Sequence, residues 1–167
     1  MSLQLGLPLM LLAALLQATV FSRLDLLGGQ PDLVLLLALT WAVLDTGREG
    51  MAWAFVGGLL LDLFSGAPLG MSSLLLVPVV FFVGLTEAQV YRTNALLPLL
   101  LTAVGGLVYH IGYVLLLRVL GISTLDVVQS VVTIALPSVL FDVILIIPAL
   151  RVLEPQYTRL HPRRVAL

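Results

Sequence analysis

Cysteine and lysine are absent from these 167 residues, and charge of either sign is scarce. Without cysteine there is no disulfide, thiolate nucleophile, iron–sulfur cluster or Cys-ligated zinc. All eight basic residues are arginine; against nine acidic ones they leave a net charge of -1, which argues against nucleic acid as a partner. Only two histidines occur, His110 and His161, too far apart in sequence for a local metal motif, so no metal or other cofactor is expected. Glycine pairs such as Gly57-Gly58 and Gly105-Gly106 lack the G-K-[ST] end of a phosphate loop. No nucleophile–base–oxyanion pattern surrounds His110. No catalytic residue is therefore assigned, and the chain reads as a protein that is not an enzyme.

What is present is apolar. Apolar residues make up 60% of the chain and charged ones 10%, where a soluble domain carries about a quarter charged residues. The mean hydropathy is +1.16. Such a chain cannot cover a water-facing surface with polar groups and is expected to be solvated by lipid. A helix needs about 20 apolar residues to cross ~30 Å of hydrocarbon. On that template six segments emerge, roughly Leu3–Phe21, Leu33–Leu44, Met51–Phe64, Met71–Val90, Ala95–Leu117 and Val127–Leu150. The second and third are short for full spans. The expected fold is an all-α integral membrane protein, with a six-helix transmembrane domain over residues 1–153 and a short basic tail over 154–167. The first run lacks a basic flank and a clear A-x-A site, so it reads as a retained helix and not a signal peptide.

Arginine counting sets the expected orientation, because short loops rich in arginine stay cytoplasmic. With both termini inside, Arg48, Arg92, Arg151, Arg159, Arg163 and Arg164 are cytoplasmic and Arg23 and Arg118 lie outside. The basic tail can touch anionic membrane lipid. The uncharged link Ser65-Gly66-Ala67-Pro68-Leu69-Gly70 is expected to turn at or within the membrane surface.

Ionisable groups inside a span are expensive, about 2.5–3.5 kcal/mol at the centre on insertion scales, and normally face protein or water. The candidates are Asp62, His110 and Asp142. Ala54, Gly58, Asp62 and Gly66 recur every four residues and form a face that lets another backbone approach closely. Thr102, Gly106, His110 and Arg118 make a comparable stripe. Pro137 removes an amide donor and leaves the Thr133 carbonyl without its helical partner, with Ser138 and Asp142 following on one face. Rise per residue places Asp62 ~18 Å from Gly50, His110 ~22 Å from Ala95 and Asp142 ~12 Å from Leu150, making Asp62 and His110 the better-matched pair in depth. Three roles are open to these groups: fixing helix packing, passing protons or ions, or holding a lipid or ligand headgroup. An echo of Asp62 with Pro68 in Asp142 with Pro148 suggests two three-helix halves.

The string Gly57-Gly58-Leu59-Leu60-Leu61-Asp62-Leu63-Phe64-Ser65-Gly66-Ala67-Pro68-Leu69-Gly70 resembles the signature region of the rod shape-determining MreD family. So do Leu16-Gln17, the Gly29-Gln30-Pro31-Asp32-Leu33 entry to the second segment and the Gly47 to Gly50 turn. The resemblance in order and spacing covers about the first 90 residues, and length and span plan match throughout. It implies a non-enzymatic scaffold of the bacterial cell-elongation machinery, in the plasma (inner) membrane, serving lateral peptidoglycan synthesis. The partners implied are MreC, MreB, RodA and a class B penicillin-binding protein. The structural or partner-contact residues it marks are Pro31, Asp32, Gly58, Asp62, Gly66, Pro68 and Gly70. The family is similar in fold to the substrate-binding subunits of energy-coupling-factor vitamin transporters, so the rival reading is a ligand-binding transport subunit. Few aromatic or charged residues are expected to line a vitamin site near the outer surface, which favours the scaffold.

Overall fold

A computed structural model of the chain describes residues 3–23, 28–44, 48–85, 96–122 and 126–160. Six helices account for most of them: α1 (Leu3–Thr19), α2 (Leu33–Leu44), α3 (Arg48–Ser65), α4 (Met71–Gly84), α5 (Leu96–Val119) and α6. The last is assembled from an α-helical turn Val127–Ser130, a π-helical stretch Val131–Ala135 and a long α-helix Leu136–Leu160. Among the described residues there is no strand. A 3₁₀ turn, Phe21–Arg23, follows α1.

Among the described residues, three stretches are long and apolar enough to cross a membrane, Gly6–Arg23, Leu96–Val119 and Val127–Pro155. The packing says how the shorter helices fit among them. The sequence of α2, LVLLLALTWAVL, is apolar on every side, as a helix must be when neighbours surround it. It touches all five other helices, and Val34, Leu35, Ala38 and Leu39 are sealed from the surface. With 12 residues it is only ~18 Å long, and α4 with 14 residues is ~21 Å. Both are shorter than the hydrocarbon layer, and α2 can be so because it sits inside the protein.

The exterior is apolar and the interior holds the polar groups. Leu12, Leu63, Leu74, Phe82, Leu100, Leu140, Ile144 and Val152 are exposed, whereas Gln17, Asp32, Asp62, Ser72, Thr102, Ser138 and Asp142 are buried. A surface of leucine, valine and phenylalanine suits lipid and not water. α3 and α4, joined by the turn over residues 66–70, make the most extensive helix pair, and α5 packs on α6.

Some boundaries move. The fourth segment, expected over Met71–Val90, ends as a helix at Gly84, and residues 86–90 lie outside the described ones. The last helix runs past Leu150 to Leu160, because Leu153 is still buried against the bundle; the expected tail over 154–167 thus begins as helix, and 161–167 lie outside the described residues. Gly47 and Arg92 lie outside them too, and Arg48, Glu49 and Gly50, expected in the turn, are the first residues of α3.

Candidate functional site

A helix leaves its first backbone N–H groups without intrahelical partners, and where those groups are buried the protein itself must supply the acceptors. α2 and α4 begin at the same end of the bundle, and both meet this demand with side chains from other helices. At α4, Gly70 is the residue before the helix, in a left-handed conformation with φ +89° and no side chain to cap with. Asp62 on α3 supplies the acceptor: the Ser72 amide donates to both its carboxylate oxygens, at 3.2 and 3.1 Å. Ser73 in turn donates from Oγ to the Phe55 carbonyl at 2.8 Å, tying the first turn of α4 to the middle of α3.

At α2 three acceptors converge. Asp32 caps its own helix by accepting from the Leu35 amide at 2.9 Å, the N-cap arrangement expected of aspartate. Gln17 on α1 accepts from the Val34 amide at 3.0 Å. Asp142 on α6 accepts from the Asp32 amide through Oδ1 at 2.9 Å, across 110 positions of sequence. The Ser138 hydroxyl, one turn earlier on α6, accepts from the Gln30 amide at 3.1 Å. The incoming chain can lie this close only because position 29 is glycine. A Cβ there would stand 2.5 Å from the Ser138 nitrogen and 2.6 Å from the Pro137 Cβ. The π-helical stretch Val131–Ala135 ends two residues before Pro137, where the proline's missing amide donor interrupts the α-helical ladder.

The residues singled out by the sequence divide accordingly. Asp62 and Asp142, 1% and 0% exposed, both hold the start of α2 or α4. Pro31 and Asp32 are buried at the entry to α2. Gly58 is a close-approach position: a Cβ would stand 2.5 Å from the Ser73 nitrogen. Gly66 is not, although the four-residue spacing placed it on the same face. It lies just past the end of α3 with φ +71° and nothing within 4 Å, so its role is the turn. Pro68 is exposed in that turn, its carbonyl accepting from the Met71 amide at 3.2 Å. The depth match between Asp62 and His110 does not become a bond. Asp62 is engaged at Ser72, and His110 Nδ1 lies 2.9 Å from the Gly106 carbonyl of its own helix. Arg118 is exposed, so the α5 stripe does not continue inward to it. The prolines of the suggested echo differ in setting, Pro68 in a turn and Pro148 inside α6.

Gln17 was not weighed as an intramembrane polar group, because only ionisable residues were. An amide in an otherwise apolar run was the available signal. A cavity of about 440 Å³ also opens between these helix ends, with Gln17, Asp32, Ser72, Tyr109, His110 and Tyr113 in its wall. Its aromatic and charged members, Phe64, Tyr109, Tyr113, His110 and Asp32, are brought together from α3, α5 and the entry to α2. Each of the six helices, counting the 3₁₀ turn after α1 and the entry to α2, contributes one to three residues, a pattern no local motif reveals.

Asp142 offers a direct check on the capping scheme. Asp142→Leu removes the acceptor of the buried Asp32 amide, a loss of about 1–3 kcal/mol. For a chain of this size that is a fall in melting temperature of roughly 5 °C. Asp142→Asn keeps an oxygen at that position and should lose less than half as much, measured by fluorescence of the buried Trp41 and Trp53. Equal losses for the two variants would show that the carboxylate acts through its charge.

An apolar exterior, three helical stretches long and apolar enough to cross a membrane, and polar groups turned inward to hold helix ends are the features of a membrane protein of the helical-bundle class. Residues 2–154 match the family described as rod shape-determining protein MreD. The chain belongs to that family, which gives it a part in determining rod shape. No curated protein and no solved structure matches the chain.

Proposed function

We propose that this chain is a non-enzymatic membrane scaffold of the cell-elongation machinery, holding the spans of partner proteins while lateral-wall peptidoglycan is made. The observation that carries the reading is the family match over residues 2–154. The interior chemistry supports it: Asp62 and Asp142, the acids a catalytic or transport reading would draw on, are engaged on backbone amides at helix starts. The exposed apolar faces of α4, α5 and α6 offer surface to other spans. The partners proposed are MreC, MreB, RodA and a class B penicillin-binding protein. The location is the inner membrane, with six passes and both termini cytoplasmic.

Two measurements test this. Clean deletion in a rod-shaped host should give round cells, and affinity purification from membranes should recover MreC and the synthase pair. Normal rods after deletion would remove the reading. Recovery of an ATP-hydrolysing pair in place of the elongation proteins would favour the transport reading. Reporter fusions test the topology. Fusions after Leu167 and within Gly47–Gly50 should report cytoplasm, and fusions near Gly28 and Ile122 the outside. A C-terminus on the outer side would overturn the six-pass arrangement.

A further inference from the structure

The cavity at the α2 and α4 helix starts has a chemistry of its own. Its wall includes Asp32, Gln17, Ser72, Tyr109, Tyr113 and His110; Asp32 Oδ1 accepts from the Leu35 amide and Gln17 from the Val34 amide. Among the described residues no arginine lines it. Asp62, whose carboxylate lies behind Ser72, and Asp32 are both within electrostatic range of Tyr109 and Tyr113. The aromatic groups are clustered, with Tyr109 and His110 centroids 5.3 Å apart and Tyr109 and Tyr113 6.1 Å apart. Tyr109 is 3% exposed, its ring held by packing. Wall groups held this way are preorganised.

Among the described residues Asp32 is the one lining carboxylate, Asp62 lies behind Ser72, and no arginine opposes them in the wall, which disfavours an anion. Aromatic faces beside them attract ammonium groups, a contact worth about 0.5–2 kcal/mol. A volume of about 440 Å³ admits a small organic molecule or a lipid headgroup. We propose that this cavity binds an ammonium-bearing polar group, with Asp32 as the counter-charge and Tyr109, His110 and Tyr113 as the aromatic wall. The site goes beyond the scaffold reading and stands whether or not that reading does.

The cysteine-free chain makes the test direct, since Ala18→Cys puts the only thiol in the cavity wall. Ile122→Cys, exposed three residues past the end of α5, is the control. Purified protein in nanodiscs is treated with a trimethylammonium-ethyl or a sulfonatoethyl methanethiosulfonate. The cation-to-anion rate ratio at position 18 should exceed that at position 122 on the order of tenfold, as charged clefts focus counter-ions. Asp32→Asn, which keeps the cap on Leu35, should remove most of the excess. Independently of that variant, millimolar ethanolamine should slow cationic labelling where equal sodium chloride does not. Nanodiscs containing phosphatidylethanolamine in place of phosphatidylglycerol separate the sources: protection there assigns the site to a lipid headgroup, and protection by ethanolamine alone to a soluble amine. A ratio equal to the control, labelling by neither reagent, or indifference to ethanolamine and to amine lipid would each overturn the proposal.

Discussion

Gly58→Ala is expected to destabilise the protein far more than a single methyl group suggests. The added carbon would stand 2.5 Å from the Ser73 nitrogen, 2.6 Å from its Oγ and 2.7 Å from its Cα. Two of these three atoms are backbone, so no rotamer change relieves the overlap and α3 and α4 must separate. Overpacking of this kind costs about 1–3 kcal/mol by itself. The separation would also stretch the Ser73 bond to the Phe55 carbonyl, now 2.8 Å, and the Asp62 bonds to the Ser72 amide, already at 3.2 and 3.1 Å. Loss of both raises the expected effect to several kcal/mol, since a buried amide left without its acceptor costs about 1–3 kcal/mol by itself. Melting of the purified protein should fall by roughly 10 °C or more, and partner recovery should fall with it. Gly66→Ala is the internal control. No atom lies within 4 Å of its Cβ position, and only the strain of an alanine at φ +71° is added, about 1–2 kcal/mol. If the two variants melt alike, the close approach at Gly58 is not what holds α3 to α4.

That contrast also marks how far the sequence could be read. Ala54, Gly58, Asp62 and Gly66 share a four-residue spacing, and the spacing is meaningful only while the helix lasts; α3 ends at Ser65, so the last member leaves the face. Apolar runs located the helices well, with Leu33–Leu44 matching α2, because a buried helix shows its length directly as uninterrupted apolar sequence. Rise per residue gave depth, but depth without azimuth could not decide partners. Asp62 and His110 matched in depth, yet the carboxylate lies against a helix start ten positions on and the imidazole against its own helix. The long-range anchor from Asp142 to the Asp32 amide had only fragments of a signal, Pro137 and Ser138 on one side and Gly29 and Pro31 on the other. Nothing in either fragment names the other. A capping interaction between distant helices is legible only when a short helix is asked where its first amides go, and the shortness of the second segment was the clue that such a question existed.

The most direct test of that accounting is Asp62. Its carboxylate is 1% exposed and both oxygens face the Ser72 amide. Asp62→Leu fills a similar space with no acceptor, leaving the amide unpaired in a lipid-solvated protein, which costs several kcal/mol. The protein should fail to accumulate, and cells carrying it as the only copy should be round. Asp62→Asn retains one carbonyl oxygen at the same place and removes the charge. If the carboxylate works as a helix cap, the amide substitutes for it: rods should persist, and melting should fall by no more than a few degrees, because the new amide nitrogen is the only unpaired group gained. If the group instead works by its charge, as a proton carrier or an ion-pair partner, Asn should give round cells as Leu does. Measuring melting and cell shape on the same variants separates the cases. A folded Asn variant that cannot support rods would falsify the capping role as the reason for aspartate at this position, whereas a Leu variant that folds and supports rods would remove the need for any acceptor at Ser72.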